Sequence, residues 1–263
     1  MQISKRIGNL EMAKVREVYS VLVPTIVLEG AGVPVNRILP HPDIEYSRVD
    51  PFLLLDELEF DEIPEESFPN HAHRGFEIIT YMLQGQATHK DNLGNEQLLK
   101  AGDAQRIMTG SGMTHGEGFD KESKFIHGLQ LWINLSKEDK KTQPIFDHGQ
   151  SEDFPVKKID GGTIKTIVGD GSPLTTRTPA LYYDISLLGD LTLDIPERFN
   201  ALIYVYQGEL SIGEENKVVI ANEMAVLGEG DKVEITSDVD SKFILIAAKP
   251  HNEEVIWYGP FVD

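Results

Sequence analysis

The apolar residues of this chain come in short runs, cut at intervals of about ten residues by Gly, Asn, Asp and Pro, and no stretch carries the sustained period of a long amphipathic helix. Such punctuation predicts an all-β sandwich or barrel. In FEIITYMLQGQATH the alternation from Phe76 to Met82 stops at Gly85. Asp91-Asn92-Leu93-Gly94 then supplies turn chemistry before EQLLKAGDAQRIM resumes the pattern. The best helical candidate is SKEDKK, where Ser136 would cap a short helix ending near Lys141 and linking two halves.

With 263 residues the chain is long enough for two domains of roughly 130 residues each. Self-comparison points the same way: Thr80–Gly85 (TYMLQG) lines up with Ile203–Gly208 (IYVYQG), and Gly102-Asp103 with Gly230-Asp231. The expected organisation is therefore two similar β units, residues 1–135 and 136–263, with the C-terminal tail packing back on the first.

Lys plus Arg number 24 against 43 Asp plus Glu, a net charge of −19 that would repel a nucleic-acid backbone. The densest acidic stretch, DELEFDEIPEE from Asp56 to Glu66, reads as a solvated loop. Cysteine is absent, which excludes disulfides, zinc–thiolate sites, iron–sulfur clusters and a thiol nucleophile. The start, MQISKRIGNLEMAK, has no apolar segment, and the longest near-apolar stretch is interrupted by Pro24. A soluble, cytoplasmic chain without membrane contact is expected, and a monomer. No GxSxG elbow, phosphate loop or dinucleotide fingerprint is present.

Any metal must then be held by His, Asp or Glu. In HAHRGFE, His71 and His73 stand two residues apart and would point to one face of a strand. In GMTHGEGF, His115 and Glu117 do the same. Two neighbouring strands aiming these pairs inward would make a three-His, one-Glu site suited to a divalent first-row metal with open positions. Glu77 would share the face of His71 and His73 if their strand ran straight, either as the alternative carboxylate or as an acceptor orienting an imidazole N–H. Arg74 could pair with such a carboxylate or stand exposed. In the second unit the alignment puts Asp194, Pro196, Phe243 and Leu245 at the ligand positions, so one metal per chain is expected. Among the remaining histidines, His127 in IHGLQLWINL reads as a satisfied core residue, His89 and His148 as exposed and His251 as unpartnered; Trp132 reads as a core aromatic.

Five blocks in order, GAGVPVNRILP with DPFLLLDE, HAHRGFEIITYMLQG, TGSGMTHGE, HGLQLWINL and the ending YGPFV, resemble the pirin family of the cupin superfamily over nearly the whole chain. The resemblance implies a bicupin, two jelly-roll cupin barrels face to face, with metal only in the first. It assigns the ligands to His71, His73, His115 and Glu117, favouring Glu117 over Glu77, and it implies Fe(II) before Mn, Co, Ni, Cu or Zn. One departure stands out: where pirins commonly read QWMTAG, this chain has QRIMTG, placing Arg106 near the expected pocket. The activity implied is a quercetin 2,3-dioxygenase-like opening of a flavonol, with Glu117 or Glu77 as general base. The alternative implied is a metal- and redox-sensing regulator that binds a partner protein.

Overall fold

The computed structural model describes residues 13–63 and 67–263; the first twelve residues, on which the leader expectation rests, and the end of the acidic run at 64–66 lie outside it. Twelve strands come from the first half and its neighbours: β1 (Val18–Leu22), β2 (Thr25–Glu29), β3 (Val33–Leu39), β4 (Phe52–Phe60), β5 (Phe68–His73), β6 (Phe76–Gln84), β7 (Gln86–Asp91), β8 (Glu96–Lys100), β9 (Ala104–Met108), β10 (Met113–Phe119), β11 (Ile126–Asn134) and β12 (Ile145–Gly149). Ten follow: β13 (Val156–Ile159), β14 (Gly162–Val168), β15 (Ala180–Asp194), β16 (Asn200–Gln207), β17 (Glu209–Ile212), β18 (Lys217–Ile220), β19 (Glu223–Leu227), β20 (Lys232–Ala248), β21 (Trp257–Tyr258) and β22 (Phe261–Val262). Among the described residues the only helical turns are two short 3₁₀ segments, Tyr46–Arg48 and Ser151–Asp153, and no helix is long and apolar enough to cross a membrane. The fold is all-β, as the punctuation predicts.

The first cup pairs a seven-stranded sheet, β12-β9-β6-β11-β4-β3-β2, with a four-stranded one, β5-β10-β7-β8. The second is one nine-stranded sheet in which the long strands β15 and β20 serve both walls, β15 changing register between Leu187 and Gly189. Strand membership does not follow a division at residue 135. β1 pairs with β19 of the second sheet and β12 with β9 of the first, while the tail bridges Arg74 to Phe261 and buries Val262 against Leu53 and Phe76.

The internal repeat is real at one of its two aligned places. β6 lies between β9 and β11 as β16 lies between β19 and β20, so TYMLQG and IYVYQG are equivalent, and Gly85 and Gly208 both turn at φ +80°. The Gly-Asp alignment is not equivalent: Gly102-Asp103 precedes β9, but Gly230-Asp231 precedes β20. The true counterpart is Ala221-Asn222-Glu223, where Glu223 accepts from the Ile220 N–H as Asp103 accepts from that of Lys100. Likewise the Asn222 N–H bonds Val205 O as that of Gly102 bonds Met82 O. Asn and Gly both tolerate the positive φ required there, so the turn kept its shape while the letters changed.

SKEDKK forms a turn and not a helix. The N–H groups of Asp139 and Lys140 both reach Ser136 O, and the Ser136 hydroxyl bonds the Asp139 carboxylate in place of a backbone N–H. The reading of Asp56–Glu66 as a solvated loop also fails over its first half. Asp56 to Phe60 belong to β4, an inner strand between β3 and β11, with Asp56 and Glu57 buried. Their charges are met by residues distant in sequence. Asp56 takes a two-pronged bond from Arg37, and Glu57 accepts from His127, Tyr204 and Asn36.

The two large sheets pack face to face over a core that mixes Leu55, Ile79 and Leu131 with Leu202, Ile244 and Ile246. Within it two reciprocal bonds cross between the halves at equivalent positions: Tyr204 OH donates to Glu57 and Tyr81 OH to Asp184, each at 2.6 Å. Tyr204→Phe removes a buried donor to a carboxylate and is expected to lower unfolding stability by about 1–3 kcal/mol in a urea titration. An unchanged midpoint would show that this bond contributes nothing to holding the halves together.

Candidate metal centre

β5 and β10 run antiparallel with His71 directly opposite His115. Beyond that pair the register shifts, so that Glu117 faces Phe68 and β5 carries an extra residue near Pro69. Proline, which cannot donate to the ladder, is at home in such a bulge. A Cβ on Gly116 would come within 2.8 Å of Asn70 Oδ1, so the missing side chain lets the strands close there. On the other side of β10, β7 places His89 opposite Glu117.

Nitrogen atoms of His71, His73 and His115 lie within 4.8 Å of one another, and ligand atoms of His89, His115 and Glu117 form a second such group sharing His115. Two of the imidazoles are fixed by bonds to main-chain carbonyls. Nδ1–H of His71 donates to Pro69 O at 2.7 Å and that of His73 to Pro260 O at 3.4 Å, leaving each Nε2 lone pair free. Both ring nitrogens of His115 are buried without a partner among the described residues. Burial, reinforced by the neighbouring imidazoles, pulls His73 down to about 3. Burial likewise pulls His115 to about 4, with Glu117 opposing. These two rings are therefore neutral at neutral pH. Imidazole nitrogens left without a protein partner, two of the rings held neutral, beside a carboxylate are what a divalent first-row ion requires.

Burial alone would push Glu117 up, yet His89 and His115 hold it well below the usual carboxylate range. Its oxygens accept from Gln105 Nε2 at 2.6 Å and Gln130 Nε2 at 3.1 Å, and Gln130 in turn accepts from Trp132 Nε1. His89 is buried, not exposed as the sequence suggested: Nε2 bonds Asp91 at 3.1 Å, its ring stacks on Phe146, and Nδ1 stands 3.9 Å from Glu117. Burial disfavours its charge, but Glu117 and Asp91 overcome that and raise it. His148 is also mostly covered, 3.5 Å from Asp103. His127 is the satisfied histidine expected, on Glu57, whereas His251 has partners after all, Thr178 and Asn134 O. Trp132 is a wall residue rather than core, stacked on Phe76 and edge-on to His73.

Glu77 does not share the face of His71 and His73. β5 ends at His73, the chain turns at Gly75 (φ +92°), and β6 directs Glu77 to the other half. There it accepts from Arg106 and from the N–H groups of Arg177 and Thr178. Alternation on β9 likewise sends Gln105 to Glu117 and Arg106 away to Glu77 and Asp147, so Arg106 is not a pocket residue. Arg74 pairs with Asp263 instead of a buried carboxylate.

The second cup shows what this site replaces. Leu193 pairs with Val233 as His71 pairs with His115, and Ile235 faces Ile212 as Glu117 faces His89. The structural counterparts of the ligand positions are thus Leu193, Ile195, Val233 and Ile235, not Asp194, Pro196, Phe243 and Leu245; the sequence alignment misses by one residue at the end of β15 and by a longer slip along β20. All four belong to or pack on one continuous apolar core. The first cup instead has two smaller apolar clusters with the polar site between them.

A cavity of about 510 Å³ opens on the cluster, lined by His71, His73, Glu117, Trp132, Phe68 and Trp257. Trp257 belongs to the C-terminal tail, which Lys140 ties down through bonds from Nζ to Val262 O, Gly75 O and Asn134 Oδ1. Burial lowers the Lys140 ammonium from 10.5 to about 8. Between those values the unfolded chain holds a proton that the folded chain has lost, so this residue makes stability rise with pH through that window. Lys140→Met should remove that rise, read as the difference in urea midpoint on either side of it.

The Pirin family profile matches residues 32–133 and the Pirin C-terminal cupin domain profile matches residues 182–263. A pirin-like protein of Solanum lycopersicum is 38% identical over 248 residues, covering 89% of this chain and 82% of that protein. The structure of a quercetin 2,3-dioxygenase from Acinetobacter baumannii superposes with a TM-score of 0.87 at 28% identity, covering 95% of this chain and 92% of that one. The bacterial pirin YhhW of Escherichia coli, solved with nickel(II), superposes at 0.71 and 20% identity, covering 88% and 99%, and shares the fold. Two cups, matches to both family profiles and a relative 38% identical over most of the chain place it in the pirin family, a bicupin of the cupin superfamily.

Proposed function

We propose that the first cup holds one divalent metal, iron(II) ahead of manganese, cobalt, nickel, copper or zinc, and that the chain is a dioxygenase of the quercetin 2,3-dioxygenase kind. Its substrate would be a flavonol or a related enediol-like aromatic. The observation carrying this reading is the histidine cluster and ionised carboxylate at one end of a cavity with aromatic walls. The cavity's volume falls in the range of small-molecule sites, about 300–1,000 Å³.

His71 and His73 would offer Nε2 to the ion, His115 a ring nitrogen and Glu117 a carboxylate oxygen. The bound ion supplies Lewis acidity toward the substrate oxygens and an electron route to O₂. The rest falls to side chains. Glu117, ionised, accepts the flavonol hydroxyl proton at a carboxylate oxygen, and the Gln105 and Gln130 amides keep that carboxylate aimed. Trp132, Trp257 and Phe68 stack on the ring system and exclude water.

The regulatory alternative is favoured by one feature, the tail: Pro260 O touches His73 while Tyr258, two residues away, is 79% exposed, so the cup is coupled to a surface a partner could read. One experiment separates the two. Metal content is measured on chelator-free protein, followed by anaerobic iron loading and O₂ uptake with quercetin. Stoichiometric iron with flavonol-dependent uptake supports the dioxygenase. Stoichiometric metal without uptake supports the regulator, and no metal under any loading overturns both.

A further inference from the structure

One wall of the cavity carries charge that metal binding does not use. Arg37 on β3 faces Asp56 on β4, with Nε 2.9 Å from Oδ1 and Nη2 2.7 Å from Oδ2; Nη2 also lies 2.8 Å from Glu29 Oε1. All three residues line the same cavity as His71, His73 and Glu117. Asp56 is buried, and the two-pronged bond fixes the plane of the guanidinium. Nη1 has no protein partner among the described residues, and it is not among the side-chain atoms sealed from solvent without one.

The formal charge of this group, one guanidinium and two carboxylates, is negative, so it disfavours an anion. It suits a hydroxyl, which can accept from Nη1–H and donate to a carboxylate lone pair at the same time. Apolar wall, Leu54, Leu58, Trp132 and Trp257 among it, lines the rest of the cavity. A ligand that fills it therefore has a planar apolar body, an oxygen pair for the histidine cluster, and a hydroxyl on an outer ring.

We propose that Glu29, Arg37 and Asp56 form a hydroxyl-recognition site that selects, among aromatic chelators of the first cup, those bearing a phenolic hydroxyl away from the chelating group. This deepens the small-molecule reading above and rests on it. Arg37 and Asp56 are specificity residues here and take no part in the chemistry. Burial raises Asp56, but Arg37 limits the rise to about 6, so at neutral pH the carboxylate is still mostly ionised and able to accept.

The test uses the zinc-loaded full chain under anaerobic conditions, where the absence of O₂ prevents turnover. The chain has two tryptophans, and both line the cavity, so quenching of intrinsic fluorescence reports on this site. Three probes are titrated: 3-hydroxyflavone, which carries the chelating oxygens alone, and its 7-hydroxy and 4′-hydroxy derivatives. At least one derivative is expected to bind about tenfold or more tightly than the parent flavonol, because a site that hydrogen-bonds a hydroxyl rejects the analogue lacking it. In the double variant Arg37→Gln with Asp56→Asn, whose amides can still bond each other, that ratio should fall to near one while zinc content is retained. Three equal affinities in the unmodified chain overturn the hydroxyl site alone, and so does a ratio that survives in the double variant. Failure of all three probes to bind zinc-loaded protein overturns the site and the small-molecule reading together.

Discussion

Replacing His115 with alanine is expected to strip the first cup of metal while leaving the fold intact. His115 is shared by both ligand groups and has two buried ring nitrogens without a partner among the described residues. Losing a ligand should weaken metal binding by more than the roughly 10–100-fold seen when only an orienting neighbour is lost. The metal-free variant should unfold within about 2 kcal/mol of the parent, because the cavity left by the ring is offset by relief of unpartnered buried nitrogens. Added metal will separate the two proteins. At free metal about 1,000 times the parent's Kd the parent gains about 4 kcal/mol, and a variant weakened more than about 100-fold gains less than about 1.4 kcal/mol. Elemental analysis with thermal melts, with and without metal, reads both effects. A variant that still binds stoichiometric metal with unchanged affinity would rule this cluster out as the site.

Glu77→Ala should behave in the opposite way. Glu77 is fully buried, and its oxygens take the Arg106 guanidinium together with two main-chain N–H groups of the other half. Its loss leaves a buried guanidinium with only Asp147 and orphans the N–H groups of Arg177 and Thr178. Breaking such a pair typically costs about 3–5 kcal/mol. Glu77→Gln keeps the shape and should recover part of the loss. Metal content per folded chain should be unchanged in both variants, measured by elemental analysis beside chemical unfolding. A stable Glu77→Ala protein that has lost its metal would return Glu77 to the site and undo its assignment to the interface.

The fold class was legible in one dimension, because alternating runs cut by turn residues leave no helical face to bury. The sequence also marked the two short-range pairs, His71 with His73 and His115 with Glu117, because a period of two puts residues of one strand on one face whatever surrounds it. The family was legible through the same blocks. What it could not supply was anything carried by contacts between strands far apart in the chain. A bulge at Pro69 and a turn at Gly75 decide that Glu117 faces the histidines and Glu77 does not. Alternation alone treats the two carboxylates alike. Burial of a charged residue depends on partners outside its own segment, which is why DELEF reads as solvent-facing in one dimension and is a buried strand in three, with Arg37, His127 and Tyr204 answering its charges. Register made the same difference in the second cup. One residue of slip at the end of β15 moves a side chain to the other face, and the alignment slips further along β20, so only the strand pairing shows that hydrocarbon stands at the counterparts of the histidine cluster.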